Sequence, residues 1–168
     1  NTTFPDLNPV NINVNLYEGI DACCYFDRRH VYFFRDKYFV KYDMIKKKHV
    51  VDDHVLISRK WPQIPYIFTY NLTAAVCRNR ESPSKTWLFK GTSYIEISLS
   101  NNEDSDKVIS SPKNINIDLG IKLSEIDTAL IESSKGVDIL YLFNKHIHVK
   151  YNLNEDTIIS EGTHNKML

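Results

Sequence analysis

The sequence predicts an all-β domain. Three observations carry that prediction: a strand-forming composition, an aromatic hairpin pattern that occurs three times, and a near-constant spacing between its occurrences. Ten Tyr, eight Phe and a heavy load of Ile and Val stand against only two Met, and branched and aromatic side chains suit a pleated surface better than a helix. Hydrophobic residues at 42% and charged residues at 25% match folded proteins rather than disordered chains. With 168 residues, one domain over 1–168 is expected.

The recurring middles are Val31 to Asp43 (VYFFRDKYFVKYD), Thr86 to Ser98 (TWLFKGTSYIEIS) and Leu140 to Asn152 (LYLFNKHIHVKYN), and they align without gaps. Phe34, Phe89 and Phe143 share one column, and Val40, Ile95 and Val149 share another. Apolar residues alternate on either side of a polar break at Arg35-Asp36-Lys37, Lys90-Gly91-Thr92 and Asn144-Lys145-His146, which is the pattern of a hairpin with a short turn.

A strand of small residues precedes each hairpin: Ile20 to Cys23, Leu72 to Ala75 and Ile126 to Ala129. Small side chains allow close backbone approach, as the innermost strands of a propeller require around their axis. Ile20 and Leu72 lie 52 residues apart, and Leu72 and Ile126 lie 54 apart, close to the roughly 40–50-residue period of propeller blades. Proline-containing segments follow the first two hairpins, at Ile57 to Pro62 and Ile109 to Ile115, and read as outer edge strands or strand ends. Trp61-Pro62 and Tyr66-Ile67-Phe68 are expected in the core. The division is three repeats near 19–70, 71–124 and 125–168, with 1–18 supplying a strand that completes a blade. The acidic run Asn101 to Asp106 reads as a mobile loop.

The order Ile20-Asp21-Ala22, an aromatic Tyr32-Phe33-Phe34 strand, a turn, Tyr38 to Asp43, and then Trp61-Pro62 before Ile64-Pro65 resembles the hemopexin repeat. The second and third repeats keep the small strand and the Trp87-Leu88-Phe89 or Tyr141-Leu142-Phe143 strand but lack the terminal Trp-Pro. The resemblance implies a four-bladed β-propeller with first strands lining an axial channel, of which three blades are recognisable here. It also implies a recognition module, a haem carrier or a polyamine-binding protein rather than an enzyme.

Several candidate sites follow. Hard cations prefer oxygen ligands, so axial carbonyls of Ile20, Ala22, Leu72, Ala74, Ile126 and Thr128 are candidates to ring calcium or sodium. Asp21 and Asp127 can instead bond neighbouring turns. His146 and His148 alternate along one strand and are candidate haem ligands, against the plainer reading of a solvated hairpin. Arg28 and Arg29, with Lys46, Lys47 and Lys48, form two basic tracts suited to an acidic protein or a sulfated glycan. The sequon Asn71-Leu72-Thr73 falls on an expected inner strand, where a glycan would not fit.

Lys+Arg 21 against Asp+Glu 21 removes the basic field that nucleic-acid binding draws on. No apolar run approaches the roughly 20 residues that cross a bilayer, and HExxH, Walker, GxGxxG and GxSxG motifs are absent. Scattered acids offer no nucleophile-and-base arrangement, so no catalysis is expected. Cys23, Cys24 and Cys77 cannot all pair within one chain and are expected as mostly buried thiols, with Cys23 and Cys24 on opposite faces of a strand. The chain starts without Met or a leader pattern, which reads as processing or an internal start. The expected location is secreted or extracellular, with the cytoplasm as the alternative. A fourth blade is expected from the termini or from a second chain in a homodimer.

Overall fold

The alternating aromatic segments fold as hairpins because each has at least one apolar face to bury. A computed structural model describes residues 19–27, 29–50, 55–78, 83–100 and 105–163. The strand expected in 1–18, Arg28 and the first part of the acidic run lie outside the described residues.

Among the described residues, three antiparallel sheets follow one another. The first runs β1 (Ala22–Tyr25), β2 (His30–Arg35), β3 (Tyr38–Asp43) and β4 (Lys48–His49), with β5 (Val55–Leu56) pairing onto β3. The second has β6 (Ala74–Cys77), β7 (Ser84–Lys90) and β8 (Ser93–Leu99), while β9 (Lys107–Val108) and β10 (Lys113–Asn114) both pair with β8. The third is the meander β11 (Thr128–Ser134), β12 (Val137–Asn144), β13 (Ile147–Asn152) and β14 (Thr157–Thr163). The first strands are neighbours in space, β1 beside β6 and β6 beside β11.

The central hairpins sit where the sequence predicts them. Arg35 pairs with Tyr38, Lys90 with Ser93 and Asn144 with Ile147, so each turn has two residues. Asp36 (φ 49°) and Gly91 (φ 59°) take the left-handed backbone that such turns favour. An equivalent bond marks the start of each repeat: the amides of Asp21, Thr73 and Asp127 donate to the carbonyls of Phe34, Phe89 and Phe143 at 3.0, 2.9 and 2.8 Å.

Four expectations need correction. The first strands start two residues later than the small-residue run, because Ile20, Leu72 and Ile126 precede the ladder and only Asp21, Thr73 and Asp127 begin the bonding. The first proline segment forms a short helix, α1 (Ile57–Lys60), rather than an edge strand, whereas the second supplies the edge strand β10 after Pro112 and then enters a short helix, α2 (Ile115–Asp118). Ile57 and Ile115 are buried, and their amides donate to the turn carbonyls Lys37 and Thr92, each at 3.0 Å. Ile115, not Ile109, is therefore the counterpart of Ile57. Trp61 and Phe68 are core, but Tyr66 is 77% and Ile67 44% exposed, since the one-turn 3-10 helix Tyr66–Phe68 directs only Phe68 inward. Asn71 is exposed at φ 46° ahead of β6 rather than on a strand.

Two cores result, and the second sheet faces both. Toward the first sheet it sends Ala75, Leu88, Ile95 and Ile97, which meet Phe26, Tyr32, Phe34, Phe39 and Trp61. Toward the third it sends Ala74, Val76, Trp87, Phe89 and Tyr94, which meet Leu140, Leu142, Val149 and Tyr151. The alternation of one strand thus feeds two interfaces. Each fully buried aromatic or branched side chain contributes about 1.5–3 kcal/mol by leaving water.

Candidate functional site

The three first strands converge on a cavity of about 270 Å³. Its walls are Cys23, Cys24 and Tyr25 of β1, Ala75 to Cys77 of β6 with Arg78, and Ala129 to Ile131 with Ser133 of β11. Small residues at Ala75 and Ala129 leave the space that bulkier neighbours would fill. Arg78 is fixed across to the third sheet, with Nε 3.4 Å from Asp138 Oδ2 and Nη2 donating to the Leu153 carbonyl at 3.1 Å. Ser133 Oγ donates to Asp138 Oδ1 at 2.6 Å, so Asp138 serves as a shared anchor at the rim.

The sequence-predicted carbonyl set lies at the opening ends of these strands. Ile20, Ala22, Leu72, Ala74, Ile126 and Thr128 all precede the cavity-lining residues of their own strand. Asp21 is already engaged: its Oδ2 accepts the Asp36 amide at 2.6 Å, the turn-bonding role the sequence left open. Among the described residues, no group of three or more His, Cys, Asp or Glu side chains is arranged to hold a metal ion.

The histidine pair does not form a slot. His146 is exposed in the β12–β13 turn, whereas His148 lies in β13 with its ring over Gly162. A Cβ at Gly162 would stand 2.5 Å from His148 Cε1, so the glycine makes room for the imidazole. Neither histidine lines the cavity.

The basic tract divides into a structural and an exposed part. Arg29 is bound to Asp43, with Nε donating to Oδ2 at 2.7 Å and Nη2 in closer contact. The Arg29 guanidinium holds the Asp43 carboxyl well below the usual carboxylate range. Asp43 Oδ1 also accepts the amides of Ile45 and Lys46 at 3.0 and 2.9 Å, which shapes the turn from Met44 to Lys47. That turn presents Lys46, Lys47 and Lys48 to solvent beside Ile45, which is 72% exposed.

Sequence reasoning singled out Arg29, the three lysines and, through the small-residue strands, Cys23, Ala75 and Ala129 of the cavity lining. Cys77, Arg78 and Ser133 carry no motif, and they meet only because β1, β6 and β11 stand side by side.

Residues 20–66 match the Hemopexin family model. The first repeat is hemopexin-like. The match spans the first sheet, α1 and the Trp61-Pro62 segment, while solved structures extend the likeness across the rest. The hemopexin fold protein CP4 from cow pea superposes with a TM-score of 0.70 at 18% identity, covering 87% of this chain and 67% of its own. A plant albumin from Cicer arietinum showing hemagglutination gives 0.71 at 19%, with 86% and 68% covered. A plant lectin with two metal binding sites, also from Cicer arietinum, gives 0.68 at 20%, again with 86% and 68% covered. Identities this low speak for the shared hemopexin fold alone. No curated protein matches the sequence. Among the described residues, no helix is long and apolar enough to cross a membrane.

Proposed function

We propose that this chain is a non-catalytic hemopexin-like binding module whose three sheets are propeller blades about an axis beside β1, β6 and β11. Its recognition surface is the Met44 to Lys48 turn, and its partner is a glycan or a protein carrying negative charge. The observation that carries this reading is a rigid, outward-facing cationic turn. Asp43 fixes its backbone through two amides while Lys46, Lys47 and Lys48 stay exposed beside Ile45. A preorganised loop loses little entropy on binding, and clustered lysines attract anionic groups. The hemagglutination and lectin descriptions of two fold neighbours favour the glycan branch and a secreted location. Retention on immobilised heparin together with a glycan array tests it. Replacing all three lysines by Glu should weaken binding by about tenfold or more, and unchanged binding would refute the assignment.

A second reading places calcium or sodium on the opening carbonyls of the first strands. The three first strands stand side by side there, and backbone carbonyls gathered at strand starts are oxygen donors that fit a hard cation. Calcium should raise the melting temperature relative to EDTA, and no shift with either ion would remove the site. Haem or polyamine-like cargo is the weaker alternative, since His146 and His148 stand apart from the cavity; an unchanged Soret band on hemin titration would end it. The face of β11 turned away from the second sheet leaves Leu130 exposed, and light scattering would show whether a homodimer covers it.

A further inference from the structure

Two of the three thiols meet where the first and second sheets touch. Alternation along β1 sends Cys24 into the core between these sheets and Cys23 to the opposite, exposed side. From the other sheet, Cys77 packs against the same core and pairs in register with Thr86. Cys24 and Cys77 pack on the same core and line the same cavity, and Thr86 Oγ1 lies 2.9 Å from Cys77 Sγ. The Ser84 hydroxyl is fully buried two residues before Thr86 on the same strand and has no hydrogen-bond partner. Both cysteines open onto the 270 Å³ cavity.

We propose that Cys77 and Cys24 form a reactive dithiol that is oxidised by small disulfides entering this cavity, giving a covalent link between the first and second sheets. The donors around Cys77 favour its thiolate: hydrogen bonding from Cys24 comes first, and it outweighs burial with help from Thr86 and Ser84. The same contact and full burial push the Cys24 thiol up, which keeps it protonated until Cys77 has reacted. The Cys77 thiolate attacks one sulfur of the external disulfide, forming a mixed disulfide and releasing one small thiolate. Cys24 then attacks the Cys77 sulfur, its proton passing to solvent, and the second small thiolate leaves. Two protein thiols thereby lose two electrons and two protons, and the external disulfide is reduced to two thiols. Cys23 takes no part, because its side chain is on the wrong face of β1 to reach Cys77.

The test treats the intact chain with oxidised glutathione, then alkylates, digests and maps it by mass spectrometry. The wild type and the Cys23→Ser variant should both yield a Cys24–Cys77 cross-linked peptide. The wild-type melting temperature should rise by about 5 °C or more over the reduced form, as expected when a crosslink closes a loop of this length. Cys24→Ala should stop at glutathione bound to Cys77. Glutathione found on Cys23 alone, with Cys24 and Cys77 both alkylated after unfolding, would overturn the proposal. So would a Cys23–Cys77 link in the wild type, a result that needs no variant to fold.

Discussion

The first and third sheets share a plan and differ at their outer edges. In both, a two-residue turn joins the central strands, and an acidic or amide side chain at the end of the hairpin shapes the next turn. Asp43 accepts the amides of Ile45 and Lys46, and Asn152 accepts those of Asn154 and Glu155 at 2.9 and 3.1 Å. Beyond that point the sheets diverge. The first ends in short strands and α1, and Trp61 turns back into the core with its ring centroid 5.2 Å from that of Phe39. The third ends in the seven-residue β14, whose residues are mostly exposed and whose ladder shifts register between Lys150 and Tyr151. The comparison teaches that hairpin chemistry sets the sheet, whereas the returning helix decides whether its outer edge is sealed by apolar burial.

The sharpest way to break this comparison is Trp61→Ala. It should cost about 3–5 kcal/mol in urea unfolding, because a fully buried indole leaves a cavity behind. A cost near zero would mean that α1 seals nothing. Next in size is Gly162→Ala in β14, expected to cost about 1–3 kcal/mol by driving a methyl into the His148 ring. His148→Ala in the same chain should recover most of that loss, and a simple sum of the two effects would argue against the contact.

A pH series separates the two turns. The folded Asp43 carboxyl titrates below its ordinary value of 3.8. The stability it contributes is therefore complete above that value and is lost as pH falls through it toward the folded pKa. Asp43→Asn should flatten the drop in unfolding midpoint between about pH 5 and pH 3, while Asn152→Ala should lower the midpoint equally at both ends. The smallest effect belongs to Ile159→Ala on β14, where 52% exposure predicts a change within about 0.5 kcal/mol. A loss matching Trp61→Ala would show the third sheet sealed as tightly as the first.

The hairpins were legible in the sequence because strand alternation and turn residues are local signals. Asp36 and Gly91 occupy the positions that two-residue turns demand. The first strands were legible as a kind of segment but misplaced by two residues: small side chains mark close approach, whereas the ladder follows backbone bonding from Asp21, Thr73 and Asp127. The helices α1 and α2 escaped because four residues carry too little periodicity to read. Their signal is tertiary, a buried isoleucine whose amide reaches a hairpin turn. Of the candidate sites, the exposed lysines of the Met44 to Lys48 turn could be read from charge. The meeting of Cys24 with Cys77 could not, since they are far apart in the chain and come together only through neighbouring sheets.

The two-sided burial of the second sheet has a dynamic consequence. Backbone amides of β7 lie between residues such as Trp87 and Leu88 that are committed to different cores, so releasing either outer sheet alone leaves one side of the strand still packed. Solvent deuterium should therefore reach β7 only through global opening, while β14 exchanges by detachment of its own sheet. The middle of the chain then acts as the shared wall against which both outer sheets fluctuate independently.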